Sequence, residues 1–375
     1  MKRVAIVNRT NLKNYGSVLQ TYALCSAVEM LGHDAEIIWE SGNLSTNYDF
    51  RPYKVFATGV KLLGHPSLFR STFSNVKYVQ QHVISEETIR LFDDFVEKNV
   101  KRKFYPSAMM KQNKVGAQYD KFVCGSDQVW CTTSLYVDPL MYLRFAPKNK
   151  RIAYAPSLGR DYIPNYNRRQ IKKYINGIPS VSVREVMGQK LIAELTGRNV
   201  PVVLDPTLLV GRSFWDKKKE SIQESGEYVL CYFLSTPTEE TQKKLLKFIG
   251  QGKRIVALNS RLEHLDNELE VRYPDCGPAQ FISFIEHADI VFTDSYHGML
   301  FSLMYHKEFW SVAREYGEFD QSSRQLSVLN MLGLKRYCCV DGDWDIEPID
   351  YVTVDEILQK EKKKSLDFLR KALGI

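Results

Sequence analysis

The chain has 375 residues, of which 25% are charged and 12% aromatic, and its formal net charge is +7. That is enough chain for two domains with full cores, and too apolar a chain to stay disordered. The mild basic excess suits anionic small molecules or a membrane surface. No DNA- or RNA-binding signature accompanies it, which argues against a nucleic-acid partner.

Arg3 to Val7 reads as a short strand and Asn8 to Gly16 as a polar loop. Ser17 to Leu31 repeats apolar residues at helical spacing, Gly32 ends that helix, and Ala35 to Trp39 is the next strand. This is a βαβ unit with a loop at the helix N-terminus. Asn14-Tyr15-Gly16-Ser17 lacks the GxGxxG spacing, so no dinucleotide site is read here. A tight turn with Ser17 as the cap and a ligand-contacting loop both stay open.

From Phe50 to Ser85 there is no Asp or Glu. Arg51, Lys54, Lys61, Arg70 and Lys77 alternate there with Val55, Phe56, Val60, Leu62, Leu63, Leu68, Phe69 and Phe73. This basic insertion, about residues 43–83, predicts a membrane-interface segment or a surface helix pair folded on the first domain. Ser85 to Asn99 is an amphipathic helix with an acidic start. Lys121 to Cys124 is a strand, followed by the polar GSDQVW. Arg151 to Ala155 is a strand, and Asn165 to Asn176 a basic helix. Ser180 to Val183 is a strand that delivers Arg184-Glu185. Met187 to Leu195 is a helix, and Pro201 to Leu204 a strand ending in Asp205-Pro206.

Gly211 to Gly226 is a charged, Lys-rich connector and marks the domain boundary. A second alternating series follows: strands at Tyr228–Leu234 and Arg254–Leu258, helices at Glu239–Ile249 and Pro278–His287. Then comes Ala288 to Trp310, ADIVFTDSYHGMLFSLMYHKEFW, an apolar strand, a polar turn and an apolar helix. Its turn lies at a strand's carboxyl end and a helix's amino end, where open α/β sheets bind ligands and anions are favoured. Ser322 to Leu332 and Val354 to Leu373 are the last helices. Residues 1–210 are therefore expected to form one Rossmann-like domain, 211–226 a linker, and 227–345 a second Rossmann-like domain. Residues 346–375 are a C-terminal helix able to pack back on the first. The fold class is α/β, with two parallel doubly wound sheets facing each other.

The seven cysteines (Cys25, Cys124, Cys131, Cys231, Cys276, Cys338 and Cys339) are odd in number, contain no CxxC and mostly sit in apolar runs. They predict reduced thiols and no disulfide framework, and no metal-ligand spacing appears. The N-terminus MKRVAIVNRTN lacks the apolar core of a signal peptide. No apolar run approaches about 20 residues. A cytoplasmic location, with the membrane's inner face as a further option, is the expectation.

NYGSVLQTYAL, VCGSDQVW, SVREVMGQKLIAELTG, PVVLDPTLL and TDSYHGMLFSLMYHKEFW, in this order, resemble the polysaccharide pyruvyl transferase family. The resemblance runs from Asn14 to about Leu334. It implies a fold like the GT-B glycosyltransferases, with the site in the interdomain cleft. It also implies phosphoenolpyruvate as donor, a sugar hydroxyl pair as acceptor, and a pyruvate ketal on a bacterial surface polysaccharide or its precursor. Many members carry an Arg two residues before the motif His, where this chain has Ser295. The anion contact of that Arg must then come from elsewhere.

Ketal transfer from phosphoenolpyruvate needs cations for a phosphate and a carboxylate, a proton donor for the methylene carbon, and a base for the hydroxyls. Arg184 and Arg324 are the expected anion clamps, because a guanidinium grips carboxylate or phosphate bidentately. His297 is the expected acid and Asp127 the base or hydroxyl ligand. Ser295, Tyr296 and Gly298 fall on the donor side. Asn14, Tyr15, Gly16, Gln20, Ser126 and Gln128 fall on the acceptor side. No cofactor and no metal are called for. The acceptor, a sugar, glycan or lipid-linked oligosaccharide, and the oligomeric state stay open. Two alternatives stay open as well. One is a GT-B glycosyltransferase using a nucleotide sugar, with Glu308 or Glu315 on the ribose. The other is a non-catalytic glycan- or membrane-binding member of an assembly complex.

Overall fold

The computed structural model describes residues 1–8, 13–40, 52–68, 85–111, 114–250, 253–314, 323–338 and 347–374. The predicted basic side chains Arg51, Arg70 and Lys77, with Phe69, Phe73, Glu315 and Cys339, lie outside the described residues.

The first unit runs β1 (Arg3–Val7), α1 (Tyr15–Met30), β2 (Asp34–Glu40), α2 (Pro52–Gly64), α3 (Glu86–Asn99), β3 (Arg102–Tyr105) and α4 (Ser107–Lys111). It continues β4 (Lys121–Cys124), β5 (Arg151–Ala153), α5 (Asn165–Ile175), β6 (Ser180–Val181) and α6 (Val186–Thr196). Two short helices, α7 (Pro206–Val210) and α8 (Arg212–Trp215), lead across. The second unit runs β7 (Val229–Tyr232), α9 (Glu239–Ile249), β8 (Ile255–Leu258), α10 (Glu263–Asp266), β9 (Val271–Arg272), α11 (Pro278–His287) and β10 (Ile290–Thr293). It ends with α12 (Tyr296–Met304), β11 (Glu308–Val312), α13 (Ser323–Met331) and β12 (Tyr337–Cys338), before the long α14 (Tyr351–Leu373).

Both sheets are parallel, with strand orders β3-β2-β1-β4-β5-β6 and β12-β11-β10-β7-β8-β9. Counted within its own unit, each has the doubly wound order 3-2-1-4-5-6, so the two Rossmann-like domains repeat one topology. The central strands are near-continuous apolar runs because helices cover both faces of each sheet. β1, for example, buries Val4 to Val7, and β8 buries all of Ile255 to Leu258.

Helix α1 is buried from Tyr15 to Val28. It packs on α7, α11 and α12, so it is lined by protein on nearly every side. That explains why its apolar residues are not confined to one stripe. One hydrophobic cluster runs from Val4 and Ile6 through Tyr15 and Leu19 to Leu230, Phe281 and Met299, joining the two domains. The Tyr15 ring carries much of this junction. It stacks on Phe92 at 4.9 Å and on Phe281 at 4.7 Å, and its hydroxyl donates to the Cys276 carbonyl at 3.1 Å.

The connector is less open than its charge suggests. Trp215 is fully buried against Tyr22 and Phe301 and donates to the Thr207 carbonyl. The strand expected at Pro201–Leu204 is reduced to one bridge, Val183 to Val202. Prolines at both ends remove the ladder donors a longer strand would need. Helix α14 touches the second domain at its start, where Tyr351 stacks on His306 at 4.5 Å. Farther along, the Ser365 hydroxyl accepts from the Leu204 amide at 2.9 Å, and Lys2 donates to the Gly374 carbonyl at 3.1 Å.

Candidate active site

Each sheet has a crevice where its strand order reverses, between β1 and β4 in the first and between β7 and β10 in the second. Chain leaving the carboxyl ends of these strands builds the site. Gly125 to Gln128 follow β4, and Asp294 to His297 follow β10. Arg184 follows β6, and Asp205 caps α7.

Asp205 is the hub. Its Oδ1 accepts from the Thr207 amide and hydroxyl at 3.0 and 2.9 Å, the N-cap bonds of α7. Its Oδ2 accepts from Arg184 Nη1 at 2.9 Å and from the Ser126 hydroxyl at 3.0 Å. Nε2 of His297, from the other domain, lies 3.5 Å from the same Oδ2, within ion-pair range. That nitrogen has no well-aligned hydrogen-bond partner. Burial alone would push the Asp205 carboxyl up. His297, Arg184 and the Thr207 amide outweigh it and hold the group well below the usual carboxylate range.

Arg184 has a fully buried side chain. Nη1 is taken by Asp205 and Ser126, while Nη2 lies 3.6 Å from Asp127 Oδ1, beyond hydrogen-bond reach. Nε and Nη2 therefore meet no acceptor. The guanidinium lies over the Tyr296 ring at 4.3 Å, and that of Arg324 over the same ring at 5.9 Å. With its amide oxygen facing the guanidinium, Gln128 accepts from Arg324 Nη2 and Nη1 at 2.9 and 3.1 Å. Burial, then Arg184 and Arg314, pushes the Arg324 guanidinium down to about 10. Two buried cations thus flank one ring, with Asp205, Asp127 and Glu185 favouring the charge on Arg184.

Asp127 has φ of 76°, the left-handed region that Asp tolerates better than most residues. Its carbonyl accepts from the Val129 and Ser157 amides at 2.7 and 2.8 Å, which fix the turn. Its carboxylate is held at the edge of the site and stays partly exposed. Arg184 does not pair with its neighbour Glu185. That carboxyl turns to the Ser157 hydroxyl and the Leu158 amide at 3.0 and 2.9 Å, and burial pushes it up.

The remaining expected site residues fall into supporting positions. Asn14, not Ser17, caps α1, accepting from the Ser17 amide at 3.0 Å. Tyr15 has its ring stacked in the domain junction and its hydroxyl donating to the Cys276 carbonyl. Gly16 lies against the His297 ring. Gln20 is fully buried and donates to the Ser17 carbonyl and Thr21 hydroxyl at 3.0 and 2.8 Å, and its own oxygen meets no donor. Ser295 caps α12 by accepting from the Gly298 amide at 3.3 Å. Gly298 is a packing position: an added Cβ would lie 2.5 Å from Thr293 Oγ1. Asp294 serves the fold, its carboxylate accepting from the Leu234 and Ser235 amides at 2.6 and 3.0 Å with Arg314 at 3.3 Å. Burial, against Arg314, pushes that carboxyl up. Glu308, offered for a ribose, opens β11 and is bound to Arg336 at 3.1 Å and the Ile349 amide at 3.0 Å. That is the amino end of the strand, the wrong end of the sheet for a ligand.

One residue of the site, Asp205, has no sequence signal beyond an Asp-Pro at a strand end. Among the described residues no group of three or more His, Cys, Asp and Glu side chains could hold a metal ion. Cys25, Cys124, Cys131, Cys231 and Cys276 are free thiols.

Two Rossmann-like domains of matching strand order, with a site assembled from the reversal point of each, define a two-domain protein of the GT-B type. The chain belongs to the polysaccharide pyruvyl transferase family, whose model matches residues 14–316. Among curated proteins none matches the sequence. Of solved structures, MnaA of S. aureus, determined with UDP, is similar with a TM-score of 0.51 at 12% identity, over 96% of this chain and 88% of that one. Arabidopsis thaliana UGT89C1, complexed with quercetin, gives 0.51 at 9% identity over 100% of both chains. At these identities the likeness is one of fold. The family is one of transferases acting on polysaccharides, and this chain is placed among them by its sequence.

Proposed function

We propose that the protein transfers a pyruvyl group from phosphoenolpyruvate to two hydroxyls of one sugar as a ketal, in the making of a bacterial surface polysaccharide. The observation that carries this reading is Arg184, a fully buried guanidinium with two donors that meet no acceptor. An unmet buried donor is costly, and a bound anion removes the cost. Arg324 supplies a second cation beside the same tyrosine, as a donor with both a phosphate and a carboxylate requires.

In this scheme His297 gives a proton to the donor's methylene carbon, which leaves positive charge on the carbon bearing phosphate. A sugar hydroxyl attacks that carbon, and Asp127 takes its proton. Phosphate departs, and the second hydroxyl closes the ring and loses its proton in turn. The methylene gains one proton and the hydroxyls lose two, so the balance leaves with phosphate or solvent. Asp205 positions the His297 imidazole, lying 3.5 Å from its Nε2. Because the Arg184 side chain is covered, donor entry requires the domains to part at Arg324–Gln128.

The test is direct. Protein, phosphoenolpyruvate and candidate nucleotide- or lipid-linked sugars are incubated, and phosphate release and product mass are followed. Stoichiometric phosphate with a pyruvyl mass gain on the sugar is the expected result. Release without that gain, or no release with any acceptor class, overturns the reading.

A further inference from the structure

Helix α2 is built inside out. Its half-buried side holds Ala57 and Leu62 together with Tyr53, Lys54, Thr58 and Lys61, all the polar side chains of the helix, and none of its residues is buried. Val55, Phe56, Val60 and Leu63 point outward, 55%, 74%, 54% and 77% exposed. Their spacing of one, four and three residues puts them on a single stripe. A surface helix ordinarily turns its apolar stripe to the core. A stripe left outside marks a contact surface.

The neighbouring helix shows what that surface fits. Lys61 Nζ donates to Asn167 Oδ1 at 2.6 Å and lies over the Tyr166 ring at 5.5 Å, and His65 packs on the same tyrosine at 5.3 Å. These contacts fix α2 against the start of α5. Along α5, Arg168, Arg169, Lys172 and Lys173 are all exposed, and none forms a salt bridge with a described residue. The exposed cations nearest α2 in this pair of packed helices are thus carried by α5. Lys61 is turned inward to Asn167, and Lys54 lines a small pocket together with Gln128.

We propose that α2 and α5 together dock the protein on an anionic lipid bilayer. The α2 stripe would enter the headgroup boundary and the four α5 cations would lie over the phosphates. An outward apolar stripe flanked by unpaired cations matches an interfacial helix in composition and placement. Among the described residues no helix is long and apolar enough to cross a membrane, so contact through α2 and α5 would be peripheral. Lys54 and Gln128 share one pocket, and Gln128 holds Arg324. The inward side of α2 thus lies beside the site, while its outward stripe is left for the bilayer.

The experiment needs no substrate, so it stands apart from the pyruvyl reading. The full chain is sedimented with vesicles containing phosphatidylglycerol, and with vesicles of phosphatidylcholine alone, at low and high salt. Binding is expected only to the anionic vesicles and should fade as salt rises. Each cation near the surface is worth roughly fivefold in affinity, so changing all four α5 cations to Gln should weaken binding by roughly several hundredfold. Phe56→Asp and Leu63→Asp should weaken it too, without lowering the melting temperature. No binding at low salt, or equal binding to both vesicles, overturns the proposal. So does a dimer in sedimentation velocity that Phe56→Asp dissociates, because a second copy would then cover the stripe. If an α2 variant melts early, the α5 variant alone decides.

Discussion

A β-carbon added to Gly16 would lie 2.1 Å from Nδ1 of His297, 2.3 Å from its Cγ and 2.7 Å from its Cβ. The glycine opening α1 in the first domain and the histidine opening α12 in the second are therefore fitted to each other. The clash would involve the root of the imidazole as well as its tip. A side-chain rotation cannot relieve it, so α1 or α12 would have to move.

Gly16→Ala should therefore displace His297 at little cost to the rest of the fold. An alanine favours helix over glycine by up to about 1 kcal/mol, while overpacking costs about 1–3 kcal/mol. The clash wins, and a modest fall in melting temperature is expected with a large loss of transfer. Equal activity in the variant would show that the His297 position is not critical.

Asp205 is bound by Thr207, Ser126 and Arg184 and faces His297, so Asp205→Asn turns an amide donor toward other donors. Breaking one partner of a buried ion pair costs about 3–5 kcal/mol, a large share of the roughly 5–15 kcal/mol of an ordinary domain. The sign with pH follows from the depressed carboxyl. A carboxyl lowered in the fold contributes stability above its unfolded value of about 3.9, and loses it as pH falls through the folded value. The gap in melting temperature between parent and variant should be full at neutral pH and narrow below about pH 4. A gap independent of pH would mean that charge is not what Asp205 contributes.

The central strands, the α/β alternation and the turn at Asp294–His297 were legible in sequence, because buried parallel strands are apolar runs and the turn breaks one abruptly. The edge strands β3, β9 and β12 were not. Arg102–Tyr105 and Val271–Arg272 carry charge and are short, so pairing with β2 and β8 decides them, not pattern. Four site residues, Ser126, Asp127, Gln128 and Arg184, are brought near His297 and Arg324 by folding. The stacking of Tyr15 between the domains is not legible in sequence, because an aromatic in a polar loop looks the same whether it meets a ligand or another domain. Asp205 reads in sequence only as a helix cap, an acid before a short helix, and its place beside His297, 92 positions away, is visible only in the fold.

His297→Asn should keep the fold, since Asn can occupy a helix start, and should lose proton transfer. A general acid contributes about a hundred- to ten-thousandfold in rate. The melting temperature and the rate of phosphate release, measured on one preparation, check this. A variant that keeps most of its rate removes His297 from the acid role.

Arg184 and Arg324 sit over one Tyr296 ring, and burial and the charge of Arg184 disfavour the charge on Arg324. A bound dianion or trianion relieves Arg324 and gives the unmet donors of Arg184 an acceptor, so phosphoenolpyruvate should raise the melting temperature, and inorganic phosphate should raise it less. At about a hundred times its dissociation constant a ligand adds about 2.7 kcal/mol, which is easily read. The two arginines should then differ under substitution by lysine. Arg184→Lys loses the bond to Asp205 together with the two unmet donors, so both basal stability and the shift with donor should fall. Arg324→Lys loses a fork to Gln128 at the surface between the domains, so its basal stability should change less while donor binding weakens. Calorimetric titration of phosphoenolpyruvate into both variants reads the second quantity, and thermal melts without ligand read the first. If neither variant changes the affinity for phosphoenolpyruvate, the paired arginines bind no donor, and the cost of burying them serves the domain junction instead.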